Sequence, residues 1–306
     1  MLMDVMLVLA GLAALVVFGD MLVRGAVGVA QRAGLSPFVI GLTLVGFGTS
    51  VPELLTSLIA AQQGLPGIAL GNVVGSNIAN ILLILGVTAA MGAISGRMLL
   101  ERDGIVMVAV TFLCAGLILT GDIGRWSGVA FVVTLGVYLF LTLRYGQSAP
   151  DELPEGAYFS VWRGMAVFLV GLVGVMLGAK FLVQGASEIA RAFDISESVI
   201  GLTIVAVGTS LPELVASVVA ARRGQGALAV GNIIGSNIFN VLGILGITAV
   251  IYPMAVPTDM MGVTVMVFLV AAVSPMILAI AFGKISRWVG FAFVGAYAAY
   301  IIALVA

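Results

Sequence analysis

The chain has 306 residues, of which 62% are hydrophobic and 9% are charged, and its mean hydropathy is +1.25. A soluble domain carries about 25% charged residues, so this composition excludes a soluble protein and predicts an integral membrane protein of the all-α type. The chain has no histidine and one cysteine, Cys114, which excludes histidine-based metal ligation and an internal disulfide. The net charge of −1 says nothing about nucleic acid, but no basic tract is present, so we expect no nucleic-acid partner.

Apolar runs of about 20 residues predict ten transmembrane helices along the chain. The expected spans are 4–23, 36–61, 67–93, 104–120, 126–143, 161–183, 197–221, 227–251, 260–282 and 287–305. A polar, proline-containing linker, 145–160, separates two halves, 1–144 and 161–306. The connections on the linker side hold ten Lys and Arg residues and those on the side of the termini hold three. The positive-inside rule therefore predicts a cytoplasmic linker and two external termini.

The two halves contain an internal repeat with an offset of 160 residues. Residues 36–60 match 196–220 at 15 of 25 positions, and 68–86 match 228–246 at 12 of 19. The repeats extend over about 36–93 and 196–252. Because each half has five spans, the second copy must enter the membrane from the opposite side. Inverted-topology repeats are typical of secondary transporters with a midplane binding site, although duplicated membrane proteins without transport activity also exist.

Each repeat contains the motif Gly-Thr-Ser-x-Pro-Glu, which ends at Glu53 in the first copy and at Glu213 in the second. The proline removes a backbone donor and clashes with the preceding turn, so we expect a helix break with free carbonyl groups. A carboxylate, hydroxyls and free carbonyls within one turn form an all-oxygen cluster. Hard cations such as Ca²⁺ and Na⁺ prefer these ligands.

The following span of each repeat carries a polar stripe with a spacing of four residues. The stripe consists of Asn72, Ser76 and Asn80 in the first half and of Asn232, Ser236 and Asn240 in the second. Pseudo-symmetry predicts that the two glutamates face each other between these stripes. For Asn80 and Asn240 interhelical hydrogen bonding is the alternative to ion binding, and for the serines it is plain packing.

The charge balance favours a bound cation. An ionised side chain at the bilayer centre costs about 3 kcal/mol, and neither motif helix offers a Lys or Arg near its glutamate. Glu53 and Glu213 therefore need a cation or a proton. One Ca²⁺ neutralises both carboxylates, whereas a protonated glutamate that bridges two helices is the structural alternative.

These motifs resemble those of the cation/calcium exchanger superfamily, and within it the prokaryotic sodium/calcium exchangers. The resemblance implies alternating access with Ca²⁺ and Na⁺ as transported ions, no cofactor, and a sliding motion of spans one and six. It implies that Glu53 and Glu213 bind Ca²⁺ together with the carbonyls of Thr49 and Thr209. It also implies two flanking Na⁺ sites, formed by Ser50, Ser236 and the Gly46 carbonyl, and by Ser210, Ser76 and the Ala206 carbonyl.

The chain differs from the usual pattern of this family at one position. Many sodium/calcium exchangers carry Asp at the position of Asn240, opposite an Asn at the position of Asn80. We expect a Na⁺/Ca²⁺ antiporter that exports Ca²⁺ across a prokaryotic inner membrane and functions as a monomer. A proton-coupled Ca²⁺ antiporter and a cation channel are the alternatives, whereas an enzyme is not expected.

Overall fold

The computed structural model describes residues 1–92, 94–145, 160–193 and 206–305. In this part of the chain, eight helices are long and apolar enough to cross a membrane, and a bent helix pair adds a ninth candidate. The predicted span 197–221 begins outside the described residues. Residues 146–159, which form most of the predicted linker, also lie outside them. The helical membrane fold agrees with the sequence, and the tenth span stays a prediction.

The elements are numbered here in chain order. The α-helices are α1 (Leu2–Ala33), α2 (Pro37–Ile40), α3 (Gly46–Thr49), α4 (Val51–Gln62), α5 (Pro66–Ala79), α6 (Gly86–Met91), α7 (Gly96–Leu100), α8 (Arg102–Thr120), α9 (Arg125–Tyr145), α10 (Val161–Ala192), α11 (Ala206–Thr209), α12 (Leu211–Arg222), α13 (Gly226–Phe239), α14 (Gly246–Ile251), α15 (Val263–Phe282) and α16 (Arg287–Val305). The π-helical turns are Gly41–Val45, Asn80–Leu85 and Asn240–Leu245, and a 3₁₀ turn covers Thr258–Met261. The strands are β1 (Ile94–Ser95), β2 (Asp122–Ile123), β3 (Met254–Ala255) and β4 (Lys284–Ile285).

The helices α1 and α10 are each 32 residues long, which corresponds to about 48 Å. They continue about ten residues beyond the predicted spans, because no helix breaker interrupts their polar last turns. Gly34, in the left-handed conformation with φ 67°, ends α1. Both helices are therefore longer than the hydrocarbon core of a bilayer, which is about 30 Å thick.

Glycines line the seam between α1 and α10. A Cβ atom on Gly11 would lie 2.7 Å from the backbone nitrogen of Leu182, and one on Gly171 would lie 2.3 Å from that of Leu22. These two contacts are equivalent under the 160-residue offset. Because the backbones touch, the two helices pack along a seam with no room for larger side chains.

The short strands join the two halves at two places. Ile94 in β1 pairs with Ile285 in β4, and Ile123 in β2 pairs with Met254 in β3, both in antiparallel register. Each pair combines a connection of the first half with a connection of the second half. The connections of each pair therefore lie at the same end of the helix bundle.

The spans that contain the polar stripes occupy the centre of the bundle. In the apolar stretch of Pro66–Met91 and in that of Gly226–Ile251, 78% and 83% of the residues are buried. In the apolar stretches of α1 and α16, 17% are buried. The peripheral helices thus face the surroundings with apolar side chains. The two polar stripes are placed where lipid cannot reach them.

Candidate cation site

Both motif segments break at their serine. Ser50 stands between α3 and α4 with φ −87° and ψ 7°, and Ser210 stands between α11 and α12 with φ −89° and ψ 7°. The break bends the first segment by 42°. Pro52 and Pro212 lie in the first turn of the next helix. Backbone N–H groups in a first turn have no carbonyl partner within their helix, so the prolines remove no helical hydrogen bond there. The motif therefore encodes the same break in both repeats, as the sequence predicts.

The two glutamates lie in the interior and are linked across the repeats. Glu53 and Glu213 are 1% and 2% exposed. The Ser50 hydroxyl donates a hydrogen bond to Glu213 Oε1 at 2.8 Å. Both carboxylate oxygens of Glu53, and Oε2 of Glu213, have no hydrogen-bond partner among the described residues. No ion pair within the described ranges includes either glutamate.

An asparagine from the following span supports the backbone of each glutamate. Asn72 donates from Nδ2 to the Glu53 carbonyl at 2.9 Å and to Ser57 Oγ at 2.8 Å. Asn232 makes the equivalent bonds, to the Glu213 carbonyl at 3.2 Å and to Ser217 Oγ at 2.9 Å. The sequence placed these asparagines on the polar stripes but did not assign them this role. The signal was present, because both asparagines and both serines recur at the same offset.

The residues expected at the first flanking Na⁺ site are close together. The Ser236 hydroxyl donates to the Gly46 carbonyl at 3.2 Å, and Ser50 N–H donates to the same oxygen at 3.3 Å. The Thr49 hydroxyl lies 3.4 Å from that oxygen and 3.0 Å from the Val45 carbonyl. The Gly46 carbonyl therefore has protein partners in this structure, and its role as a Na⁺ ligand stays a prediction. The missing side chain of Gly46 lets the helix that bears Ser236 approach closely enough to donate.

The corresponding residues of the second side are not joined in this way. Ser210 Oγ is buried and has no hydrogen-bond partner within the described part of the chain. Ser76 is buried on α5, and Ala206 is the first residue of α11. No hydrogen bond of the described residues connects Ser76 to Ser210. Thr209 ends α11, as Thr49 ends α3, so both threonine carbonyls directly precede the breaks.

Asn80 and Asn240 each begin a π-helical turn. Such wide turns inside α-helices are frequent at functional sites. Both side chains are buried at 1% exposure. Neither amide atom of Asn80 has a partner among the described residues, whereas Asn240 donates from Nδ2 to Asn77 Oδ1 at 2.9 Å and only its Oδ1 lacks one. The predicted pair of asparagines is thus buried as expected, but its two members differ.

The unsatisfied polar atoms concentrate at this site. Nine buried side-chain N and O atoms lack a partner among the described residues, and seven of them belong to the predicted ligands Glu53, Asn80, Ser210, Glu213 and Asn240. Buried polar groups in folded proteins are nearly always paired. Six of the seven are oxygens, the atoms that Ca²⁺ and Na⁺ bind. The donor set therefore fits a hard cation.

The comparison with known proteins gives the same assignment. The profile of the sodium/calcium exchanger protein family matches residues 3–144 and 163–306. The chain belongs to the sodium/calcium exchanger family. It is 33% identical to the sodium/calcium exchanger MaX1 of Methanosarcina acetivorans, over 98% of this chain and 97% of that protein. It is 36% identical to the putative antiporter CaxA of Alkalimonas amylolytica, over 94% of this chain and 93% of the relative.

A solved structure has the same fold over the whole chain. The sodium-calcium exchanger NCX_Mj, soaked with 10 mM Na⁺ and no Ca²⁺, superposes with a TM-score of 0.83 at 34% identity and covers 99% of both chains. As a member of the sodium/calcium exchanger family, the chain is a multi-pass membrane transporter and not an enzyme. The family transports Ca²⁺ and Na⁺ as substrates. The resemblance seen in the two motifs is therefore confirmed.

Proposed function

We propose that this chain is an antiporter that binds Ca²⁺ between Glu53 and Glu213 and exports it from a prokaryotic cytoplasm in exchange for Na⁺. One observation carries the proposal: the buried carboxyl groups of Glu53 and Glu213 have no basic partner among the described residues, and they supply three of the seven site atoms that lack a hydrogen-bond partner there. Burying an unpaired charge is costly, so the empty site is an unfavourable state. A divalent cation balances two ionised carboxylates.

The same charge balance couples the two ions. With both glutamates ionised, the site carries two negative charges when empty and none with one Ca²⁺ or two Na⁺. Moving an uncompensated charge across the low-dielectric interior is expensive, so the loaded site reorients and the empty one does not. Because Ca²⁺ and Na⁺ compete for the same two charges, one replaces the other. The transporter therefore exchanges the ions and does not leak.

The ligands are assigned from the resemblance and the geometry together. Ca²⁺ binds the two glutamates and the carbonyls that precede the breaks, from Thr49 and Thr209. One Na⁺ binds near Ser50, Ser236 and the Gly46 carbonyl, after the Ser50 hydroxyl releases Glu213 and the Ser236 hydroxyl releases the Gly46 carbonyl. The other binds near Ser210, Ser76 and the Ala206 carbonyl. Asn80 and Asn240 contribute neutral oxygens.

Alternating access follows from ten spans in two inverted halves, 1–144 and 161–306, with external termini and a cytoplasmic linker. The strand pairs β1–β4 and β2–β3 support this topology. Each pair brings together two connections that the topology assigns to the same side of the membrane. The glycine seam supports a joint movement of α1 and α10 past the remaining helices. We propose that one chain is the functional unit, since both halves of the site come from it.

Reconstituted vesicles test this function. The purified chain is placed in liposomes at clamped pH, and uptake of radioactive Ca²⁺ is measured with an outward Na⁺ gradient and with a matched K⁺ gradient. We expect uptake only with Na⁺. No uptake at clamped pH with either gradient, together with uptake when a pH gradient is imposed without Na⁺, would identify proton coupling instead. Ca²⁺ flux without any counter-ion would identify a channel.

A further inference from the structure

Asn77, which is absent from the expected ligand set, makes a chain of hydrogen bonds between the two repeats. Its Nδ2 donates to the backbone carbonyl of Asn237 at 3.2 Å, and its Oδ1 accepts from Asn240 Nδ2 at 2.9 Å. Asn77 is 2% exposed, and Asn240 is 1% exposed. A buried residue of the first repeat thus contacts the asparagine of the second.

The direction of these bonds determines which atom Asn240 presents to the site. A backbone carbonyl can only accept, so the amide atom of Asn77 next to the Asn237 carbonyl must be nitrogen. The other amide atom of Asn77 is then oxygen, and it can only accept from Asn240. Asn240 must therefore use its nitrogen here, which leaves Oδ1 as the buried atom without a partner. This orientation follows from the hydrogen-bond chain and not from the choice of an amide flip.

The equivalent residue in the other repeat does not do the same. Asn237 donates from Nδ2 to the Ile233 carbonyl of its own helix at 2.7 Å. Asn80, which occupies the position equivalent to Asn240, has no partner for either amide atom among the described residues. Within the described part of the chain, a neighbour therefore holds the Asn240 side chain, and none holds that of Asn80.

We propose that Asn77 is a positioning residue that orients the Asn240 side chain so that Oδ1 serves as a neutral, pre-organised cation ligand. The proposal rests on the proposed function and refines its site. It makes the two sides of the site inequivalent: the Asn240 oxygen is ready before the ion arrives, whereas Asn80 is ordered by the ion itself. Holding a ligand in its bound geometry lowers the cost of binding.

The arrangement also favours an amide over an ionised carboxylate at position 240. A carboxylate there would direct an oxygen at Asn77 Oδ1, and two acceptors repel. Asn77 could donate to it only by turning its amide and giving up the Asn237 carbonyl. Asn77 therefore favours a side chain at this position that can donate a hydrogen bond to its Oδ1.

A double-mutant cycle tests the proposal through equilibrium binding of Ca²⁺ to the purified protein. Asn77→Ala is expected to weaken binding about 10-fold, within the range seen when partners of metal ligands are removed. In an Asn240→Ala background the same change is expected to have no further effect, because no side chain remains to be oriented. Asn77→Ser keeps a polar group that is too short to reach Asn240, so it is expected to give the same loss and the same dependence on Asn240.

The matched control uses the other repeat. Asn237→Ala keeps the backbone carbonyl, and its effect is expected to be under twofold and additive with Asn80→Ala. Additive losses for Asn77→Ala and Asn240→Ala, or equal losses for Asn77→Ala and Asn237→Ala, would overturn the proposal. If the unchanged protein binds Ca²⁺ and shows Na⁺-driven uptake while the cycle is additive, only the positioning role fails. If the unchanged protein neither binds nor transports Ca²⁺, the proposed function fails.

Discussion

The two repeats are alike where they support the glutamates and unlike where they flank them. Asn72 and Asn232 make equivalent hydrogen bonds to the backbones of Glu53 and Glu213. In contrast, the Ser50 hydroxyl bonds to the opposite glutamate, whereas the Ser210 hydroxyl has no partner among the described residues. The asparagines that support the two glutamates are thus equivalent in the two repeats, whereas the serine hydroxyls beside the glutamates differ in their hydrogen bonds.

This difference has a physical reason. Each glutamate must be fixed against the same electrostatic cost, so both repeats retain the same support. The flanking groups meet across the interface of the repeats, where a hydroxyl has a single proton and therefore donates to one acceptor at a time. Two repeats with matching motifs can therefore form a site whose two sides differ.

The largest expected effect tests the symmetric part. Replacement of either glutamate, Glu53→Gln or Glu213→Gln, is expected to reduce Na⁺-driven Ca²⁺ uptake at least about 100-fold, because one carboxylate leaves a bound Ca²⁺ with an uncompensated charge. Uptake into vesicles measures it, with Thr134→Ala on the exposed face of α9 as the control. If one variant retained most of its activity, the two halves would not share one site.

The glycine seam offers a second symmetric test. Gly11→Ala and Gly171→Ala are expected to destabilise the protein by about 1–3 kcal/mol each, because the added methyl group overlaps the backbone of the facing helix. Thermal unfolding in detergent measures the loss. Gly116→Ala is the control, since a Cβ atom there meets no atom within 4 Å. A loss at only one of the two seam positions would break the symmetry inferred for α1 and α10.

The serine pair tests the asymmetric part. In the absence of ions, Ser50→Ala is expected to lower the free energy of unfolding by about 1–2 kcal/mol, since it removes the hydrogen bond to Glu213. Ser210→Ala is expected to change the free energy of unfolding by less than about 0.5 kcal/mol, because its hydroxyl makes no hydrogen bond to the described residues. Unfolding midpoints in ion-free buffer distinguish the two variants. Equal losses would contradict the difference between the repeats.

The smallest expected effect concerns charges at the bundle end. Asp20 pairs with Arg24 at 2.7 Å and with Arg223, whereas the equivalent positions of Asp20 and Arg223 hold Lys180 and Gln63, which cannot form an ion pair. Asp20→Asn is expected to lower the free energy of unfolding by less than about 1 kcal/mol, because these side chains are partly exposed. The loss should shrink at high salt. Unfolding at two salt concentrations measures it, and Lys180→Gln should show no salt-dependent loss.

Much of the fold and of the candidate site could be read from local features of the chain. Apolar run lengths predicted the membrane helices, and the repeated Gly-Thr-Ser-x-Pro-Glu motif predicted a break that the structure places at Ser50 and Ser210. The length of α1 was missed because the polar last turns carry no helix breaker before Gly34. The short strands were missed because two-residue strands form only where distant connections meet.

The sequence by itself determined the repeat, the two intramembrane glutamates and their need for a compensating cation or proton, because these follow from residue type, spacing and the cost of charge in lipid. The tertiary structure decided the partner of each hydroxyl and amide. The Gly46 carbonyl accepts a hydrogen bond from Ser236, and among the described residues Asn240 has a side-chain partner whereas Asn80 has none. Hydrogen bonds form only within about 3 Å, so the packing of the two repeats, and not the spacing along either one, selects among the available donors.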